Sequence, residues 1–359
     1  MKSFTTKDSQ CIKGIAIIIM MFHHCFANTW RYQGYSVNFF PFNEATMNAF
    51  TLALKQCVGM FAFISVFGMT VAYNKLNKPT RKDYERITLR RLFRMMNGYM
   101  LVFLLVQIIS LLLGQNRIHE IYGNNIECGI QIFIDFLGLA DVFSTATYLA
   151  TWWYMSMAII IVISFPILYS CYKKWGGSIF LFIAILPFII TFKYENIFRY
   201  MGVLMFGIAF AEDNLFEKWN SYTLFHSKRL TYFFKFFIEI LFMYLLYRGR
   251  SSSLASPLIA LWDSLLPVVM ILFSVDFIIY QKIFRNILVF LGKHSMNIYL
   301  IHNIFRVYWC PDFIYSFRSC WIIPIVLLLV SLLFSICVES IKKLTGYYAW
   351  MQRIENKIH

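Results

Sequence analysis

The chain has 359 residues, 59% of them apolar and only 14% charged. A soluble domain carries about a quarter charged residues, so this composition excludes a water-soluble enzyme, a disordered chain, a coiled coil and a disulfide-stapled secreted scaffold. The net charge of +15 would suggest a nucleic-acid partner in a soluble protein; in a membrane protein, most of it serves to set orientation.

Runs of about 20 mostly apolar residues predict an all-α polytopic membrane helix bundle of ten spans. The first, 12–30, carries two histidines and no small-residue cleavage site, so it reads as a retained span rather than a cleaved leader. Next come 50–73, 97–114 and 147–171, then two short spans at 178–192 and 198–211. The last four are 231–247, 256–279, 287–304 and 320–338. Segment 130–141 is too short to cross, carries Asp135 and Asp141, and reads as interfacial or re-entrant. No repeat or long linker interrupts residues 1–359, which read as a single membrane-embedded domain.

Lysine and arginine set the sidedness. One set of connecting segments, including Lys2, the loop 74–94 and the C-terminal tail, holds 21 of them, and the other set holds 8, among them Arg31, Lys193, Arg199, Arg250 and Arg306. The bias puts both termini in the cytoplasm and makes a nucleic-acid partner unnecessary. The eight cysteines show no metal-ligand spacing, and no metal is expected. Cys310 and Cys320 flank a polar loop and can pair if it is external.

The first span carries the strongest chemical signal. Lys13 and His24 are eleven residues apart, three turns plus about 20°, so they share a helix face about 16 Å apart. With Lys13 at the cytoplasmic interface, His24 falls near the bilayer midplane. An ionisable residue there is a functional candidate, and imidazole suits proton transfer from a hydroxyl. The plain alternative is a histidine bonded to a neighbouring helix. In the basic loop, Arg90, Arg91 and Arg94 share one flank just before the third span. Guanidinium forks at a helix N-terminus suit phosphate, and topogenic charge is the alternative. In the ninth span Ser295, Tyr299 and His302 fall at i, i+4, i+7, either lining a polar pocket or bonding helix to helix. Lys235 and Glu239 read as a self-neutralising pair. Trp152, Trp153 and Tyr154 read as an aromatic belt or a sugar-stacking platform.

In order and spacing these segments resemble the acyltransferase family 3 membrane proteins, which O-acylate cell-surface carbohydrates. That family has a basic residue, ten intervening residues and a histidine in its first span, matched here by Lys13 and His24, with lysine in place of the commoner arginine. Its R-x-x-R matches Arg91 and Arg94; the proline-x-tyrosine that follows becomes Asn97-Gly98-Tyr99. A serine-glycine pair becomes Ser65-Val66-Phe67-Gly68. The run Leu291 to His302 is the closest match, Trp153 leads the fourth span, and Glu339 matches a family glutamate loosely. The resemblance implies a stand-alone form without the soluble C-terminal domain. It implies an inner-membrane O-acyltransferase, most simply an acetyltransferase, moving acyl from cytoplasmic acetyl-CoA to a carbohydrate hydroxyl, with no permanently bound cofactor. His24 would be catalytic and Lys13 would orient the donor. Arg90, Arg91, Arg94 and Tyr99 would bind the donor, and Ser295, Tyr299, His302 and Trp153 the acceptor. A transporter of lipid-linked sugars and a polysaccharide polymerase are the rival classes. The first expects paired broken helices and the second a large external loop.

Overall fold

The computed structural model describes residues 3–124, 127–189, 195–251 and 255–358. Among them the chain is all-α with no strand, and a lone bridge joins Asn38 to Ser319. Ten longer helices carry the predicted spans: α1 (Thr6–Phe26), α2 (Cys57–Asn74), α3 (Arg81–Leu112), α4 (Trp153–Trp175), α5 (Ile179–Ile189), α6 (Glu195–Glu212), α7 (Lys228–Arg250), α8 (Ala255–Phe273), α9 (Lys282–Ile304) and α10 (Ile322–Leu344). A last helix, α11, covers Tyr347–Glu355. Residues 190–192 of the expected fifth span lie outside the described residues, as do Lys2 and Lys193.

Seven of the described helical stretches are long and apolar enough to cross a membrane. The protein is an all-α polytopic membrane protein. Helix α5 has 11 residues, about 17 Å of rise against a hydrocarbon core of about 30 Å. It continues from α4 through the turn Gly176–Ser178. Helix α9 has length enough, with 23 residues, but carries Lys282, Arg285, Lys293 and His294 among its apolar positions.

Reciprocal caps decide where two helices begin. The backbone N–H of Thr5 donates to Asp8 Oδ2 (2.8 Å), and that of Asp8 donates to Thr5 Oγ1 (3.3 Å), which starts α1 at Thr6. Thr80 and Asp83 repeat the device (2.8 and 3.4 Å) and start α3 at Arg81. This corrects one expectation. Arg90, Arg91 and Arg94 lie inside a 32-residue helix, where backbone N–H groups bond within the helix, so no helix N-terminus is available to them for phosphate. Helix α1 stops at Phe26, so His24 occupies its last turn, whereas the midpoint of the helix is Ala16. Cys310 and Cys320 are both free thiols.

The chain divides into two compact units. The first comprises residues 1–16, 56–87 and 164–293. In it α2 packs on α6, α6 on α8 and α7 on α8. Small residues let the backbones approach: a Cβ on Gly207 would lie 2.7 Å from the Phe63 carbonyl oxygen, and one on Gly59 would lie 2.4 Å from Pro267 Cγ. Asp263 is fully buried here and accepts from Gln56 Nε2 (2.7 Å), Arg250 Nε (2.6 Å) and Arg199 Nε. Lys235 pairs with Asp276 at 3.7 Å and donates to the Trp219 carbonyl at 2.7 Å. The expected Lys235–Glu239 pair gives way because Asp276, from the turn after α8, brings a carboxylate to Lys235 from a second helix.

The second unit comprises residues 17–55, 88–163 and 294–359. Tyr99, Phe103, Trp152, Leu300, Ile304 and Val338 belong to its core, drawn from α3, the turn Ala150–Trp152 before α4, α9 and α10. The short helix Glu127–Phe136 occupies most of the segment expected to be interfacial. Buried Asp135 ties it down, accepting from Tyr122 Oη and the Tyr148 N–H (both 2.6 Å), Thr147 Oγ1 (3.1 Å) and Tyr99 Oη (3.2 Å). Helix α10 runs past the expected end at 338, so Glu339 and Lys342 are helical.

Candidate active site

Three pieces of the second unit meet around His24. The last turn of α1 supplies His23 and His24. A single 3-10 turn after it, Thr29–Tyr32, supplies Arg31. The end of α9 supplies His302 and Asn303, and the π-helical turn Phe305–Trp309 that follows supplies Arg306. Such wide turns recur at functional sites.

The imidazole of His24 lies 4.8 Å from that of His302 and 5.0 Å from that of His23, centroid to centroid. His23 is buried and its Nδ1 donates to the Thr51 carbonyl at 2.9 Å, the carbonyl being an acceptor only. Arg31 Nη1 donates to the His23 carbonyl at 2.7 Å and to His24 Nδ1 at 3.2 Å. Asn303 Nδ2 stands 3.5 Å from the same ring nitrogen. Arg306 fixes that amide by donating from Nε to Asn303 Oδ1 (2.7 Å), and it also donates to the Arg31 carbonyl (3.1 Å). His24 is half-buried, whereas His302 is sealed at 0% exposure.

The electrostatics are one-sided. Among the described residues no carboxylate pairs with Arg31 or Arg306. Burial pushes Arg31 down to about 10, and the like charge of Arg306 acts in the same direction. Burial likewise pushes the nearby Tyr315 hydroxyl, which donates to the Arg31 carbonyl at 3.1 Å, up to about 12. A cluster with this field favours negative charge that develops during a reaction.

The other expected residues have varied settings. Lys13 is half-buried on the same helix as His24 and belongs to the first unit. Ser295 is buried on α9, and Tyr299 donates to the Thr151 carbonyl at 2.7 Å, so that hydroxyl is already committed. Trp153 is half-buried and edge-on to Tyr154; its neighbour Trp152 turns inward and donates to the Leu300 carbonyl at 2.9 Å. Tyr99 is fully buried and donates to the Asp135 carbonyl at 2.7 Å, which places it in the core among Asp135, Tyr122 and Trp152.

Arg91 is half-buried. Arg94 holds the carboxylate of Glu355 with both prongs of its guanidinium, Nε to Oε1 at 2.5 Å and Nη2 to Oε2. Arg90 donates to the Glu355 carbonyl at 3.1 Å. The hydrogen bond from Arg94 holds the Glu355 carboxyl below the usual carboxylate range. A neighbouring polar cluster joins Asn297 to Ser335 (3.0 Å) and to Glu339 (2.8 Å), His294 to Ser335 (2.8 Å) and Lys342 to Glu339 (2.7 Å).

The sequence reading did not single out Arg31, Asn303 or Arg306. A signal for Arg306 existed, because it stands four residues beyond His302 on the same polar stripe. Arg31 had none, since it meets its partner nitrogen, seven residues back, only after α1 has ended at Phe26.

The family model described as acyltransferase domain, acyltransferase family 3, matches residues 7–340. The chain belongs to that family. It is a membrane acyltransferase. The same sequence matches no curated protein and no solved structure. The matched segment of this acyltransferase takes in Lys13, His24, the arginines of α3, His302 and Glu339; α11, with Glu355, lies beyond it.

Proposed function

We propose that this acyltransferase moves an acyl group, most simply acetyl, from cytoplasmic acyl-CoA to a hydroxyl of a cell-envelope polysaccharide or lipid-linked sugar. In this reading it sits in the plasma membrane with both termini in the cytoplasm, as the basic-residue bias implies. The observation that carries the proposal is the imidazole pair of half-buried His24 and buried His302, flanked by two guanidinium groups that have no acidic partner among the described residues.

Acyl transfer needs both of these things. A hydroxyl is a weak nucleophile until a base takes its proton, and half-buried His24 would be that base. Attack on the thioester carbonyl puts negative charge on an oxygen, which a pair of guanidiniums without an acidic partner among the described residues would stabilise. Arg90, Arg91 and Arg94 would hold the phosphates of the donor, with Tyr99 supporting the helix that carries them. Lys13 would orient the donor. Ser295, Tyr299 and Trp153 would line the acceptor side.

The test uses full-length protein in nanodiscs with acetyl-CoA radiolabelled in the acetyl group. Label should bind, bind less in Arg91→Ala and Arg94→Ala, and pass to a carbohydrate acceptor. Absence of donor binding at any concentration, together with movement of a lipid-linked sugar across vesicles, would replace this reading with a transporter.

A further inference from the structure

We infer that His302 is a positioning residue which, together with Arg31, fixes His24 in one tautomer, so that Nδ1 of His24 is the proton-accepting atom. The kinetic part of this inference rests on the acyl-transfer reading above; the tautomer part does not.

One observation requires this tautomer and a second, at His302, fits it. The first is at Nδ1 of His24. Arg31 Nη1 approaches it at 3.2 Å, and a guanidinium has donors only. The Asn303 amide nitrogen stands 3.5 Å away, and its oxygen is already engaged by Arg306 Nε at 2.7 Å, which fixes the amide with its NH2 toward His24. A nitrogen facing two donors carries the lone pair, so the proton of neutral His24 resides on Nε2.

The second is at His302. Its Nδ1 lies 2.8 Å from the Tyr299 carbonyl and 3.2 Å from the Ile298 carbonyl. Carbonyls only accept, so this nitrogen bears hydrogen. Nε2 of His302 is therefore an unprotonated lone pair. It is buried and has no hydrogen-bond partner among the described residues, and its ring centroid is 4.8 Å from that of His24. A buried acceptor without a donor is costly. The donor best placed to reach it is the Nε2–H of His24. The arrangement repeats a general pattern in which a base is oriented by a third group behind it.

The step follows with its atoms balanced. The acceptor hydroxyl takes the place of Arg31 Nη1 at Nδ1 of His24 and gives its proton to that nitrogen. The oxygen attacks the thioester carbonyl carbon and a C–O bond forms. Arg31, displaced from the ring, faces the oxyanion. His302 Nε2 accepts from the Nε2–H of the imidazolium and spreads its charge. The C–S bond then breaks, and the thiolate leaves with the proton returned from Nδ1.

Two measurements test this. Nitrogen-15 spectra of histidine-labelled protein in nanodiscs should show His24 protonated on Nε2 and His302 protonated on Nδ1, each signal assigned by its loss in a single substitution. His24 protonated on Nδ1 overturns the inference. In acetyl transfer, His302→Leu should lower kcat about 10- to 100-fold with donor KM unchanged. His302→Gln, whose amide oxygen can still accept from Nε2–H, should restore most of the rate. A purely structural role would show no such recovery, so equal loss in the two variants, or no loss in His302→Leu, also overturns the inference. Wild-type protein that transfers no label to any acceptor overturns the acyl-transfer reading instead, and the spectra still decide the tautomer.

Discussion

Each unit of the chain buries a charged cluster, and the two are built in opposite ways. In the first unit Asp263 offers two carboxylate oxygens, and Gln56, Arg199 and Arg250 engage both. In the second unit Arg31 and Arg306 donate mainly to backbone carbonyls and an amide, and an imidazole nitrogen of His302 has no partner among the described residues. A cluster in which each guanidinium holds a carboxylate oxygen locks helices together. A cluster of guanidiniums with no carboxylate at all is organised for something that arrives or develops. Burial alone does not tell a site from a strut; the balance of donors and acceptors does.

Substitutions can break this contrast. The largest effect is expected at His24: His24→Ala should lower acyl transfer by about 10²–10⁴-fold while leaving thermal unfolding close to wild type. His23→Ala should cost far less, because His23 spends its Nδ1 proton on the Thr51 carbonyl. A larger loss at His23 would exchange their roles. Asp263→Ala should act the other way round. It strands two guanidinium groups and should destabilise the protein by about 3–5 kcal/mol, read as a fall in melting temperature, with transfer per folded molecule unchanged. Loss of turnover in a fully folded Asp263→Ala protein would erase the contrast.

Smaller effects sharpen it. Arg31→Gln removes a charge-assisted hydrogen bond and a nearby cation, and kcat should fall roughly tenfold, in line with about 1.5 kcal/mol for such a bond. At the other polar end of the second unit, Glu355 occupies the Arg94 fork that a donor phosphate would need. Because 66% of the Arg94 side chain is exposed, water screens that pair to at most about 1 kcal/mol. Glu355→Gln should therefore lower the donor KM only about two- to threefold. Acid tests the same pair. The Glu355 carboxyl is held below its ordinary value in the folded state, so its contribution is complete above the unfolded pKa of about 4.3 and is lost as pH falls through the folded one. Hydrogen-exchange protection across Tyr347–Glu355, taken against the intrinsic exchange rate at each pH, should fall near pH 3 and stay high at pH 7.

Much of the fold was legible because bilayer length and apolar runs leave few alternatives. Each of the ten expected spans overlaps a helix among the described residues, seven helical stretches being long and apolar enough to cross, and the polar stripe of α9 ends at the site. The starts of α1 and α3 were misplaced because their capping boxes lie in polar sequence that a hydropathy window passes over. Charge counting also hid part of the site. Arg31, Arg199, Arg250 and Arg306 entered the count as loop charges, yet Arg306 is buried at 6% exposure, Arg199 and Arg250 hold Asp263, and Arg31 holds His24.

By itself the sequence determined that this chain crosses a membrane as helices, that it has the order of motifs of an acyltransferase, and that His24 and His302 stand at helix positions where an ionisable ring has to serve some purpose. Those properties depend on composition and on periodicity within one helix. Only the tertiary structure decided which donor meets which acceptor: Asn303 reaches His24 across 279 residues of chain, and Arg94 reaches Glu355 across 261. Local pattern encodes the face a side chain occupies on its own helix. The partner, and with it the tautomer and the charge, is set by how distant segments close on one another.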